Sequence, residues 1–460
     1  MSLIIPANTL AASGYAVDNS CRFNGTNDSL NLTTGTPTDA KKFTFSTWLK
    51  KCKNGVEQDL MAYNPSGNAE SMIRIDDSDR FVINDRDASD TDVEFFLVSN
   101  AVLRDASAWY NLIVAVDTTD GTNTNRVKMY INGTQVTSLQ TATYPEQNIT
   151  PEISAGSRAV YVGARVTSQF FNGYLAETVF IDGQQLAADS FGEFDSDSGI
   201  WKPIDVSGLT FGDNGFYFEY SDSSDLGVNS KGTDWTPNNL AAIDQSTDTC
   251  TTNFCTLNSI SEHNNSTFSD GNLTYTGSAA AVHNAIGSIG VTQGKWYFEA
   301  KRVAGASAYP FVGVFNADGT MGSYLGQTVD GWSILMDAAD NGEWRNNATL
   351  SGTSVGAFVN GDIGMVAIDM DNGKIWFGRN GTWGDSGNPS AGSGEQYSNL
   401  TGTIIPAVAV YTGAAISLNF GSPPYSESGG ETDGNGYGNF AHAVPTNYYS
   451  LNTKNLAEYG

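Results

Sequence analysis

The sequence predicts an all-β protein: two antiparallel β-sandwich domains of jelly-roll type behind an extended N-terminal segment. Three observations predict it. Short runs of alternating apolar and polar residues, as in a strand with one face turned inward, recur along the chain. Gly 50 against Pro 13, with many Asn, Asp, Ser and Thr, supplies the tight turns between them. No amphipathic helix longer than two turns is visible, and 460 residues suffice for two to four domains with their own cores.

The most informative stretch is residues 361–384, GDIGMVAIDMDNGKIWFGRNGTWG, read as two strands closed by a two-residue turn at Asn372-Gly373. Such a turn needs positive φ at both central positions, which Asn tolerates and Gly adopts freely. That register sets Asp371 opposite Lys374, Met370 opposite Ile375 and Ile368 opposite Phe377. Ile368, Met370, Ile375 and Phe377 then share an apolar side, with Asp369 and Trp376 on the other.

In chain order, residues 1–20 have no core of their own and lack a basic region ahead of their apolar patch. They are read as an attachment segment, with Leu3, Ile4, Ile5 and Pro6 as its docking residues. From Cys21 the β pattern begins. In FTFSTWLKK, Phe43, Phe45 and Thr47 alternate against Thr44, Ser46 and Trp48. MIRIDDSDRFVIND reads as a hairpin turning at Asp77-Ser78-Asp79, and Asn132-Gly133 closes another. LAADSFGEF is expected to hold the chain's helical turn. The first sandwich is placed at residues 21–220 and an irregular, polar connector at 221–285. A second sandwich is placed at 286–421, where Trp296 and Phe298 share one side of a strand and Tyr297 and Glu299 the other. Residues 422–460 form a tail with Phe440, Tyr448, Tyr449 and Leu451 as anchors that pack back on a domain or on a neighbouring copy.

Five matches in order, Phe43 to Trp48, Trp109-Tyr110, Tyr130 to Gly133, Val162-Gly163 and Phe171 to Glu177, resemble the laminin-G-like, concanavalin A-like sandwich. GKWYFEA, VGV, the 361–384 hairpin, PAVAVY and LNFG resemble the SPRY domain. The opening SLIIPANTL, these two domains and the WTPNNL to TDTCTTNFCTLN segment together resemble tailed-phage structural proteins. That resemblance implies a fibre, spike or decoration on the virion surface, docked through its N-terminus to capsid or tail proteins. It further implies a homo-oligomer, a trimer in many fibres, that binds host-surface glycans without being an enzyme. The alternatives are a bacterial surface or secreted adhesin and, third, a glycan-active enzyme.

Charge narrows the partners. A net charge of −27, from Lys+Arg 23 and Asp+Glu 50, is the wrong sign for nucleic-acid phosphates. No run of about 18 apolar residues is present to span a membrane. The four cysteines read as buried free thiols, since Cys250 and Cys255 lack the further ligands a zinc site needs. Glycanases of the concanavalin type cut with carboxylates in an E-x-D-x-x-E pattern. The nearest match, Glu193-Phe194-Asp195, has Ser198 at the third position and stands in a polar loop. No catalytic residue is assigned and no cofactor is expected, apart from possible Ca²⁺ at Asp76, Asp77 and Asp79. Trp344, Trp383 and Tyr324 stand among Asn, Asp and Gly in loop-like contexts, where a ring can stack on a sugar or simply pack.

Overall fold

The computed structural model describes residues 14–64, 69–87, 94–261, 266–278, 281–305, 309–338 and 342–460. With 43% strand against 6% helix, it has the expected all-β architecture of antiparallel sandwiches. The chain divides into two units, one of Ser13–Thr251 and the other holding Thr252–Gly460.

The N-terminal unit opens with β1 (Ser20–Asn24), β2 (Ser29–Thr33), β3 (Lys42–Lys51), β4 (Gln58–Tyr63), β5 (Glu70–Ile75) and β6 (Arg80–Arg86). β7 (Phe95–Val102), β8 (Trp109–Asp117), β9 (Val127–Ile131), β10 (Thr134–Gln135), β11 (Leu139–Thr143) and β12 (Ala159–Val162) follow. β13 (Asn172–Asp182), β14 (Gly192–Phe194), β15 (Trp201–Pro203), β16 (Phe216–Phe218), β17 (Thr236–Asn238) and β18 (Gln245–Ser246) complete it. One sheet runs β10-β9-β8-β3-β13-β1-β18 with β16 on β13, and the other β11-β7-β6-β5-β4-β12-β2-β17. Phe43, Phe45, Leu112 and Val114 of the first meet Ile73, Phe81, Ile83 and Leu97 of the second in a common core. The alternation on β3 turns Trp48 to the opposite face. There a second apolar layer forms, with Trp109, Tyr130 and Tyr217 beneath Phe191, Trp201 and Phe211 from the chain that crosses over it. The Asn132-Gly133 turn is as expected: Ile131 pairs with Thr134, and both turn residues have positive φ (48° and 74°).

The C-terminal unit contains β19 (Ser266–Ser269), β20 (Thr274–Gly277), β21 (His283–Ile286), β22 (Lys295–Ala304), β23 (Phe311–Asn316), β24 (Gly331–Leu335) and β25 (Glu343–Asn346). Then come β26 (Thr349–Ser354), β27 (Ile363–Asp369), β28 (Lys374–Arg379), β29 (Thr382–Trp383), β30 (Ile404–Val410), β31 (Ala415–Asn419) and β32 (Tyr449–Ser450). One sheet runs β19-β20-β31-β22-β27-β28-β29, with β32 parallel to β22, and the other β21-β30-β23-β24-β25-β26. Trp296, Phe298, Val366, Ile368, Ile375 and Phe377 fill the core between them. Tyr297 and Trp376, on the reverse face, pack under Phe440 and Tyr448 of the tail.

Three expectations are corrected. The β27–β28 turn is longer than two residues: Asp369 pairs with Lys374 and Ile368 with Ile375, and of the two turn residues only Gly373 has positive φ. The Asp369 side chain accepts from the Asn372 backbone N–H (3.1 Å) and amide (2.9 Å), which stabilises the longer loop. A shift of two residues keeps every side chain on its expected face, whereas a shift of one would have inverted them. Residues 221–285 are not a draped connector. β17 and β18 extend the N-terminal sheets, and β19 to β21 belong to the C-terminal ones. Trp235 anchors the stretch edge-on against Phe216 and Phe218, with centroids at 4.8 and 5.4 Å. The helical turn expected at 186–194 is only the 3₁₀ turn Ala188–Ser190; the α-helix among the described residues is α1 (Thr453–Tyr459), capped by the Asn452 side chain on the Asn455 N–H (2.9 Å).

Candidate ligand-binding cleft

The residues singled out in the sequence do not converge. Trp344 lies on β25 and is 2% exposed, inside the C-terminal core. This is a correction: a strand of four residues is too short to show alternation, so its Asn- and Gly-rich flanks made it look like a loop. Trp383 is half-buried and edge-on to Tyr297 at 6.2 Å, on the outer face of one sheet. Tyr324 is half-buried on the outer face of the other sheet, stacked on Phe311 at 5.3 Å with the Arg345 guanidinium over both rings. Trp383 and Tyr324 therefore lie on opposite faces of the C-terminal sandwich, and Trp344 lies between its sheets. Leu3, Ile4, Ile5 and Pro6 lie outside the described residues.

Asp76, Asp77 and Asp79 do not form a metal cage either. Asp76 accepts from the Ser78 and Arg80 backbone N–H groups at 2.9 and 2.8 Å, closing the turn. Asp79 is buried and ion-paired to Lys51 and Arg104, and it accepts from the Gly55 N–H at 2.9 Å. Burial pushes its carboxyl up, but Lys51, Gly55 and Arg104 outweigh this and hold it below the usual range. Lys51 and Arg104 thus already neutralise the Asp79 carboxylate. Among the described residues no group of three or more His, Cys, Asp or Glu could hold a metal ion.

A cleft does form in the N-terminal unit, over the second apolar layer. About 520 Å³ in volume, it is lined by residues that include Tyr130, Gly133, Asp189, Glu193, Phe194 and Trp201. That volume suits a small ligand. Its floor is built from the sheet upward. Asn111 on β8 is buried and donates to Ser46 Oγ and the Thr47 carbonyl at 3.3 and 3.2 Å. Its Oδ1 accepts from Trp201 Nε1 at 3.0 Å, so the indole is pinned to the sheet. Glycines flank the ring. A Cβ at Gly133 would stand 2.2 Å from Trp201 Cε3, and one at Gly192 would stand 2.5 Å from Cε2. Gly133 thus serves both the turn and the close approach of the indole.

The wall is Phe194, 53% exposed, edge-on to Trp201 with centroids at 4.9 Å. The rim carries two exposed carboxylates, Asp189 and Glu193. Glu193 pairs with Lys202 at 3.2 Å, and this bond leads the causes that raise the lysine above its usual range. Burial, then the Asp189 carboxylate, pushes the Tyr130 hydroxyl upward. Asp195 belongs to the adjoining turn, where the Ser198 backbone N–H and hydroxyl hold it down to about 2.

Residues 193–194, expected in a loop, thus sit on the short strand β14 and line the cleft. Trp201 escaped the sequence reading because its partners, Asn111 and Gly133, are far away in the chain. Glu177 escaped it too. It sits at a bulge in β13 with φ 48° and accepts from the Tyr217 hydroxyl at 2.7 Å and that of Tyr15 at 3.3 Å. Burial pushes its carboxyl up to about 7 against these bonds.

Comparison with known proteins bears on the same unit. Residues 24–189 match a family model described as the concanavalin A-like lectin/glucanases superfamily. No curated protein matches the chain by sequence. Among solved structures, the SPRY domain of human HERC1 is 22% identical at a TM-score of 0.27, covering 32% of this chain and 87% of that one. A Bacteroides ovatus protein described as a candidate carbohydrate-binding protein is 14% identical at 0.33, covering 48% of this chain and 58% of that one. A heptameric SAP-like pentraxin from Limulus polyphemus is 11% identical at 0.30, covering 44% and 94%.

Proposed function

We propose that the chain is a carbohydrate-binding protein that acts without catalysis, with the Phe194–Trp201 cleft of the N-terminal unit as its sugar site. One observation carries this: an exposed aromatic ring on a rigid indole floor, with carboxylates at the rim, in the same unit whose residues 24–189 match a lectin/glucanase family model. Sugar rings stack on aromatic faces through their C–H groups, while carboxylates accept from their hydroxyls. The resemblance of the whole chain to tailed-phage structural proteins extends the reading. The chain is then displayed on the virion surface as a homo-oligomer, docked by its N-terminal segment to capsid or tail proteins, and it meets host-surface glycans. Finding the chain in repeated copies in purified virions tests that part, and its absence from them would leave the adhesin reading.

Titrating an oligosaccharide panel by calorimetry tests the site. Saturable binding that falls about tenfold or more in Phe194→Ala, with the melting temperature kept, is the expected result. Binding that ignores Phe194 would place the sugar elsewhere. A second reading, glycan cleavage, draws on Asp189 and Glu193 sharing one cleft. Release of new reducing ends, lost in Glu193→Gln, would establish it instead.

A further inference from the structure

The charge lining the cleft narrows the ligand, granted the reading of it as a sugar site. None of its lining residues is Lys, Arg or His, and two are carboxylates. The neighbouring cation, Lys202, is engaged by Glu193 at 3.2 Å and Asp195 at 3.4 Å. Asp189 is exposed and pairs with no cation among the described residues. Beside it stand Tyr130 and the half-exposed ring of Phe194. An aromatic wall next to an unneutralised carboxylate attracts an ammonium group twice, through the ring's quadrupole and through the ion pair. An anionic sugar would meet only repulsion there, and the chain's net charge of −27 extends that preference over long range.

We propose that the cleft selects sugars bearing a protonated amine, such as deacetylated hexosamine units, over N-acetylated or anionic ones, with Asp189 pairing with the ammonium and Phe194 stacking on the ring. The two carboxylates then have separate parts. Glu193 is tied to Lys202, and Asp189 is left for the ligand.

Calorimetry on the full chain at pH 6 would compare a glucosamine trimer, the N-acetylglucosamine trimer and choline. The amine trimer is expected to bind about tenfold more tightly than the acetylated one, an advantage that shrinks between low and high salt. Asp189→Asn should remove most of this preference and leave the melting temperature unchanged, since the side chain is exposed. Phe194→Ala should weaken both trimers. Equal affinity for the two trimers, still dependent on Phe194, would overturn the amine selectivity and leave the sugar site standing. So would a preference that survives Asp189→Asn. Binding of neither trimer would overturn the site as well, and choline binding as tightly as the amine trimer would overturn the sugar as the ligand.

Discussion

Gly133→Ala is the sharpest test of how the cleft is built. The substitution puts a side chain on a residue with φ 74°, at a cost of about 1–2 kcal/mol for a non-glycine in that region. The new Cβ would also stand 2.2 Å from Trp201 Cε3, far inside any real contact. Either the indole leaves its place and strains the bond to Asn111, or the turn shifts; overpacking of this kind costs about 1–3 kcal/mol. The sum is about 2–5 kcal/mol. Gly199→Ala is the control, because Gly199 has φ 70° but nothing within 4 Å of its Cβ position, so it carries the backbone cost alone. Urea unfolding, followed by tryptophan fluorescence and circular dichroism, measures both in the transition of the N-terminal unit. Removing the indole should relieve the clash, so Gly133→Ala in a Trp201→Ala background should cost no more than Gly199→Ala does. If Gly133→Ala proves as mild as Gly199→Ala in the intact protein, the indole is not held against the turn, and the floor of the cleft is wrongly drawn.

Other expectations follow from buried groups. Trp344→Ala should lower the stability of the C-terminal unit by about 3–5 kcal/mol and leave sugar affinity unchanged, because the ring is core; denaturant titration and calorimetry on one sample check both. Asp79→Asn should cost about 3 kcal/mol, since it strands the buried Lys51 ammonium, and millimolar calcium should not move the wild-type melting temperature. Glu177 and Glu299 are raised from 4.5 to about 7, chiefly by burial. The native protein therefore keeps protons that the unfolded chain releases. Stability contributed by each is whole below pH 4.5 and declines as pH rises toward 7, by about 3 kcal/mol per group. Melting temperatures between pH 4 and 8 should show that decline, and Glu177→Gln or Glu299→Gln should flatten it; a wild-type curve that rises through this window would contradict the burial argument.

Local patterns carried most of the fold into the sequence. Phe43 and Phe45 opposite Trp48, Trp296 and Phe298 opposite Tyr297, and the Asn132-Gly133 turn are readable because a strand's period of two and a turn's φ demands are written in adjacent residues. Phe440, Tyr448 and Leu451 are legible for a related reason: large apolar residues in a polar tail must be covered by something. The β27–β28 turn was misjudged because Asn-Gly fits a tight turn, while Asp369 stabilises a looser one through its side chain. Trp344 was misplaced and Trp201 was missed for a different reason. The burial of the first depends on the facing sheet, which brings Val366 and Phe377 into the same core, and the place of the second depends on Asn111 and Gly133, far away in the chain. The cleft is a product of tertiary convergence, and single-chain periodicity carries no trace of it.

The seating of the last forty or so residues has a practical corollary for handling the protein. Glu299 accepts from the Ala441 and His442 backbone N–H groups, both at 2.9 Å, and Asp433 ties Ser450 to Asn455. A recombinant fragment stopped at the last obvious strand, near Gly421, would strip the roof from Tyr297 and Trp376 and offer bare aromatic surface to its neighbours. Such a fragment should precipitate, and any attempt to crystallise this half alone ought to carry the chain through Tyr459.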